Sequence, residues 1–339
     1  MTTTIPTLLS ERAAAGSATI LRKKDRGLWK AVSWADLDSR RLAVAGALQT
    51  ADFRPSDVAG ILSETTPDAV YVDLGILTAG GVSLALHPEE EAEKIGALLR
   101  ESACRVLFVE NEEQLDKALT VREQCPALSR IVILDMKGLR DFSDLACESF
   151  ESFVSSGSAA APIEIRPDQP AVRLADRTLT HADVLAMVAA AKQELGAQAG
   201  DERLAVLPMS DPLERIYGLY LALDAGIVSN YLESPETARE NLQQLQPTIF
   251  GADTEAWTRL HARIAGAAAA ATGVQRILYN WAIGAGHGNP LANVLVLRAI
   301  RRELGMQRLR VAYVANNKPP AEVTDWAAAL GVSIRSVTT

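Results

Sequence analysis

Cysteine is scarce and unpaired in this sequence. Cys104, Cys125 and Cys147 form an odd set without CxxC spacing, which excludes a disulfide framework and a cysteine-built zinc site. Cations are also in deficit: 34 Lys and Arg stand against 42 Asp and Glu, a net charge of −8. That balance argues against a nucleic-acid partner, whose phosphates need clustered positive charge. Short basic groups such as Arg22-Lys23-Lys24 and Arg301-Arg302 read as solvated faces. No apolar run approaches the roughly 20 residues of a membrane-spanning helix. The Thr-rich opening lacks the basic and then apolar order of a secretory signal. The expectation is a cytoplasmic, non-transmembrane protein with reduced thiols. What the chain does have is 48% apolar residues over 339 positions, enough for two domains of ordinary size.

Apolar runs and helical periods alternate along the chain. Val58-Ala59-Gly60-Ile61-Leu62, Val82-Ser83-Leu84-Ala85-Leu86, Arg105 to Val109 and Arg130 to Leu134 read as strands. Amphipathic stretches separate them, including 34–48, 68–79, 89–101 and 113–125. This order predicts a parallel sheet covered by helices. Ser155 to Pro162, made of small residues and proline, is the best linker. It divides the chain into an N-terminal α/β lobe, 1–160, and a second α/β lobe, 161–339. In the second lobe, strands are expected at 204–207, 228–232, 248–250 and 309–314. Helices are expected at 180–195, 212–225, 235–245, 254–271 and 291–304. The alanine tract 267–271 reads as helix, since alanine is the best helix former.

Several segments carry a resemblance. Leu207-Pro208-Met209-Ser210-Asp211-Pro212-Leu213-Glu214-Arg215, Ser234-Pro235-Glu236-Thr237 and Gln246-Pro247-Thr248-Ile249-Phe250 resemble the middle of long-chain acyl-CoA synthetases. So, earlier in the chain, do Val32-Ser33-Trp34 and Asp57-Val58-Ala59-Gly60-Ile61-Leu62. Those enzymes belong to the adenylate-forming superfamily, which activates carboxylates with ATP before transfer to coenzyme A. The resemblance implies two parallel-sheet lobes flanked by helices, as in the N-terminal domain of that family and without its C-terminal domain.

The same alignment exposes departures. The family carries a Ser/Thr/Gly-rich phosphate loop just before a Leu-Thr-His tripeptide. Leu179-Thr180-His181 is present, but the ten residues Gln169 to Thr178 contain no glycine. Glycine lets a backbone approach phosphates closely, and Pro170 removes one N–H donor. Asp211 replaces a family histidine, and Trp257 stands where a Trp-Glu pair is expected. The adenine-contacting loop aligns with Asn316, Asn317 and Lys318. The family's Tyr-Gly-x-Thr-Glu motif and adenylation lysine have no counterpart up to Thr339.

Site readings are accordingly sparse. No catalytic residue, metal ligand or bound cofactor is expected. Asn316, Asn317 and Lys318 are vestigial adenine-loop positions, and Asp211 and Trp257 vestigial pocket positions. His181 reads as a structural residue beside a helix start, with Thr180 as N-cap and Asp183 in the first turn. Gly284-Ala285-Gly286-His287-Gly288 reads as a connector, because it lacks the strand-turn-helix setting of a nucleotide loop. The functional expectation is a non-catalytic homologue binding a fatty acyl ligand or a protein partner, such as an active synthetase or a second copy. The alternative is an AMP-dependent fatty acid–CoA ligase whose missing site parts come from another chain.

Overall fold

The computed structural model describes residues 3–174, 177–315 and 317–338. Fourteen strands form three sheets among these residues. They are β1 (Thr19–Asp25), β2 (Leu28–Ser33), β3 (Val58–Leu62), β4 (Val82–Leu86), β5 (Val106–Val109), β6 (Arg130–Ile133) and β7 (Cys147–Ser149). The rest are β8 (Pro170–Leu174), β9 (Arg177–Thr180), β10 (Glu202–Ala205), β11 (Val228–Tyr231), β12 (Ile249–Gly251), β13 (Val311–Ala315) and β14 (Ile334–Val337).

The largest sheet has the order β7-β6-β5-β3-β4-β8-β9. Every neighbouring pair is parallel except β8 and β9. Its central strands are apolar throughout because helices cover both faces. All four side chains of β5 are buried, and each such aliphatic or aromatic side chain contributes about 1.5–3 kcal/mol. The Pro67–Thr78 helix covers one face, with Thr66 as N-cap and ten of its residues buried. The Ala92–Glu101 and Glu112–Val121 helices enclose a separate apolar cluster around Leu62, Leu107 and Ile131.

A second sheet runs β10-β11-β1-β2, and a third runs β12-β13-β14. The two adjoin at Thr248, whose N–H donates to the Glu202 carbonyl at 2.9 Å. Strands therefore cross the expected lobe boundary in both directions. β8 and β9, beyond residue 160, complete the first sheet, while the N-terminal hairpin β1-β2 pairs with β11. The 155–162 stretch behaves as an extended strap. Ser158 N–H donates to Thr50 Oγ1 at 3.1 Å and Ala161 N–H to Gln49 Oε1 at 2.8 Å, fastening it to the Trp34–Thr50 helix.

Two differences from the sequence reading are local, one of them a π-helix, Asn293–Leu297, within the helix expected over 291–304. The stretch expected as one α-helix over 212–225 is a π-helix, Leu213–Tyr220, continued by an α-helix, Leu221–Ala225. Wide turns of this kind collect at functional or strained positions. Here the π-helix carries two consecutive buried charges, Glu214 and Arg215. Arg215 pairs with Asp73 of the Pro67–Thr78 helix, both fully buried, and Glu214 pairs with Arg203 of β10. Ser83 on β4 donates to Asp73 at 2.6 Å and accepts from Arg215 at 2.7 Å, while Tyr220 donates to Asp73 at 2.8 Å. Gly218 is required for this packing: a Cβ there would lie 2.7 Å from Arg203 Nη2 and 2.8 Å from Glu214 Oε1.

Candidate functional site

Parallel strands from all three sheets end at one crevice, the usual place for ligands in open α/β folds. Beyond β3 come Glu64, Thr65 and Thr66; beyond β4, His87; and beyond β5, Glu110. From the second lobe, Leu207 and Pro208 follow β10, Leu232 and Glu233 follow β11, and Asp253 follows β12. Together they border a cavity of about 620 Å³. Thr65 Oγ1 donates to the Leu207 carbonyl at 2.7 Å and ties the β3 and β10 connections together at its edge.

The cavity has a polarity. Its first-lobe rim is acidic: Glu64, Glu89 and Glu110 all face it. Glu110 Oε2 accepts from the Glu64 N–H at 2.7 Å and from Ser63 Oγ at 3.2 Å. Burial raises the Glu64 pKa above the usual carboxylate range, and the charges of Glu110, Glu89 and Glu236 add to the shift. Leu207, Leu232, Leu242, Phe250 and Leu260 supply apolar surface. The residues beyond β11 and β12 add Arg239, Arg259 and Arg263 beside Glu233, Asp253 and Glu255. Arg239 is paired with Glu303 and Arg259 with Glu255. Arg263 Nε is buried and without a hydrogen-bond partner among the described residues, and burial lowers its pKa.

The segment before Leu179-Thr180-His181 forms the antiparallel β8-β9 hairpin, in which Leu174 pairs with Arg177. Two residues lie between them. β8 runs parallel to β4, so its carboxyl end reaches the same sheet edge as His87. Two residues between the strands are fewer than the Ser/Thr/Gly-rich loop that the resemblance calls for, and the acidic rim opposes polyanionic charge.

The sequence-derived positions fall elsewhere. Trp257 is fully buried, edge-to-face with Phe250 at 5.6 Å between ring centres. Asp211 accepts from the Leu213 N–H at 2.7 Å at the start of the π-helix, and burial raises its pKa. Neither borders the cavity. Asn317 and Lys318 are exposed after β13, where the Asn317 carbonyl accepts from Thr254 Oγ1 at 2.6 Å. Asn316 lies outside the described residues. Thr180 caps the His181–Leu195 helix and forms a capping box with Asp183. His181 is 1% exposed, and burial holds its pKa down to about 4. Glu110 and Arg263 were not singled out from sequence. The acidic rim could have been located from the residues just beyond β3 and β5; Arg263 carries no such signal.

Residues 10–174 match the family model described as AMP-binding enzyme. The matched region covers the first lobe through the last residue of β8. The long-chain-fatty-acid–CoA ligase ACSBG2 of Xenopus laevis is 21% identical over 338 residues, covering 88% of this chain and 45% of that protein. Among solved structures, the adenylation domain of a carboxylate reductase from Mycobacterium chelonae superposes with a TM-score of 0.80 at 17% identity. That alignment covers 99% of this chain and 57% of the other. An anthranilate–CoA ligase in complex with anthranoyl-AMP gives 0.75 at 16% identity, covering 99% and 59%. The chain thus has the fold of the N-terminal part of adenylate-forming acid–CoA ligases, and it spans about half the length of the curated relatives it matches. Among the described residues, no helix is long and apolar enough to cross a membrane. Among those residues, too, no cluster of His, Cys, Asp and Glu is placed to hold a metal ion.

Proposed function

We propose that this chain, which matches the AMP-binding enzyme model over residues 10–174, binds an apolar carboxylate, such as a fatty acid, without activating it by adenylation. The observation carrying this reading is the two-residue connection between Leu174 and Arg177, where the family resemblance calls for a phosphate loop. Adenylation needs donors arranged around the triphosphate as pyrophosphate leaves, and their removal forfeits stabilisation at the step where charge develops. The acyl half of the site supports the other part of the reading. A cavity of about 620 Å³ is within the usual range for small-molecule sites. Its apolar wall suits a hydrocarbon chain, and Arg263 suits a carboxylate head.

Titration calorimetry with palmitate tests the acyl reading. Binding is expected, weakened about tenfold by Arg263→Gln, the equivalent of about 1.4 kcal/mol. Hexadecanol, which has no carboxylate, is expected to bind the wild type and Arg263→Gln alike. Equal palmitate affinity in both proteins contradicts the assignment of Arg263. Absence of palmitate binding leaves protein partnership as the role of this chain.

A further inference from the structure

Between Glu255 and Glu303 the chain contains no aspartate or glutamate, yet it contains Arg259, Arg263, Arg276, Arg298, Arg301 and Arg302. In a protein of net charge −8 this is a cationic island. The same stretch holds most of the exposed large apolar side chains. On the Gly273–Ala285 helix, Val274 is 78% and Ile277 70% exposed, with Leu278 and Trp281 beside them at one-turn spacing. On the adjoining 290–297 segment, Leu291, Val294 and Leu295 are each more than 60% exposed. The two segments pack against each other, so their apolar rows adjoin.

We propose that this surface docks the protein on an anionic lipid bilayer, with the aliphatic row and Trp281 entering the interface and Arg276, Arg298 and Arg302 meeting lipid phosphates. Leu291, Val294, Leu295, Arg298 and Arg302 are all exposed along the run formed by Pro290–Ala292, the π-helix Asn293–Leu297 and the Arg298–Glu303 helix, which places the cations directly after the apolar side chains. Among the described residues, Arg276, Arg298 and Arg302 have no ion-pair partner, whereas Arg259 and Arg239 are paired with Glu255 and Glu303. Two acidic neighbours face the patch: Glu303, which ends the Arg298–Glu303 helix and is paired with Arg239, and Glu322 of the Ala321–Ala329 helix, 3.9 Å from His261. A symmetric contact with a second copy would bring the cationic patches together and is disfavoured by like charge. An acyl layer accepts aliphatic side chains without a shaped pocket, and anionic headgroups answer the unpaired arginines.

The test is co-sedimentation of the full chain with two sets of vesicles, phosphatidylcholine alone and phosphatidylcholine with roughly one-third phosphatidylglycerol. The protein is expected to partition onto the anionic vesicles about tenfold more strongly, and to lose that preference at high salt. Leu291→Ser with Val294→Ser should lower partitioning about tenfold, and Arg298→Gln with Arg302→Gln should abolish the anionic preference. All four side chains are exposed or at a helix surface, so circular dichroism and melting should match the wild type. Equal binding to both vesicle types, no binding, or a dimer in sedimentation velocity that the Leu291→Ser, Val294→Ser protein loses would each overturn the proposal.

Discussion

Leu174 and Arg177 stand opposite one another across an antiparallel pair, Leu174 closing β8 and Arg177 opening β9. That pairing makes a hairpin of the connection where the resembled family carries its phosphate loop. Thermal melting in millimolar magnesium–ATP is therefore expected to shift the midpoint by less than about 1 °C, since a ligand that does not bind the folded state cannot stabilise it. A shift that grows with ATP concentration would require a nucleotide site elsewhere in the crevice.

Arg215 and Asp73 should be intolerant of single substitution. Both are fully buried, and Arg215 Nε and Nη1 already lack partners among the described residues. Arg215→Met leaves Asp73 charged in the core, and the expected loss is about 3–5 kcal/mol in urea denaturation. Adding Asp73→Asn should restore part of it, because the uncompensated charge is then gone. Strictly additive losses in the double variant would contradict a direct pair.

Gly218 offers a contrast with Gly266. At Gly218 an added methyl meets Arg203 and Glu214 at 2.7–2.8 Å, so Gly218→Ala should destabilise by about 1–3 kcal/mol. Gly266 sits exposed in the Thr254–Ala270 helix with open space around it, and Gly266→Ala should stabilise by about 0.5–1 kcal/mol. Denaturant midpoints of the two variants should move in opposite directions.

His181 gives a dependence on pH. Its pKa in the folded chain is about 4, against 6.5 for the free side chain. Between those values the unfolded chain takes up a proton that the folded one refuses, so stability falls as pH drops from about 6.5 to about 4. The full loss from this group approaches about 3 kcal/mol. In His181→Gln the fall in stability over that interval should be shallower, as measured by urea midpoints at successive pH values.

The alternation of strands and helices was legible because parallel strands covered on both faces become continuous apolar runs, as in Val58–Leu62 and Val106–Val109. The capped start at Thr180 with Asp183 was also legible as a local signal, whereas the same box at Ser33 with Asp36 was not singled out. The partition into sheets was not. Pairing of β1 with β11 joins residues about 200 positions apart, and β8-β9 is short, partly exposed and opens on a proline. Nor does a sequence show a π-helix, because the wide turn is held by tertiary ion pairs at Glu214 and Arg215 rather than by propensity. The cavity's acidic rim was not read from sequence either: Glu64 and Glu110 stand just beyond β3 and β5, but only the fold brings them together with Glu89 from a third connection.

Carboxylate-dependent exchange of labelled pyrophosphate into ATP tests the central claim most directly, with palmitate, magnesium and the purified chain alone. The expected result is no exchange above the protein-free control, because the Leu174–Arg177 hairpin leaves no cradle for the leaving group. Exchange that depends on palmitate and scales with protein concentration would contradict the account.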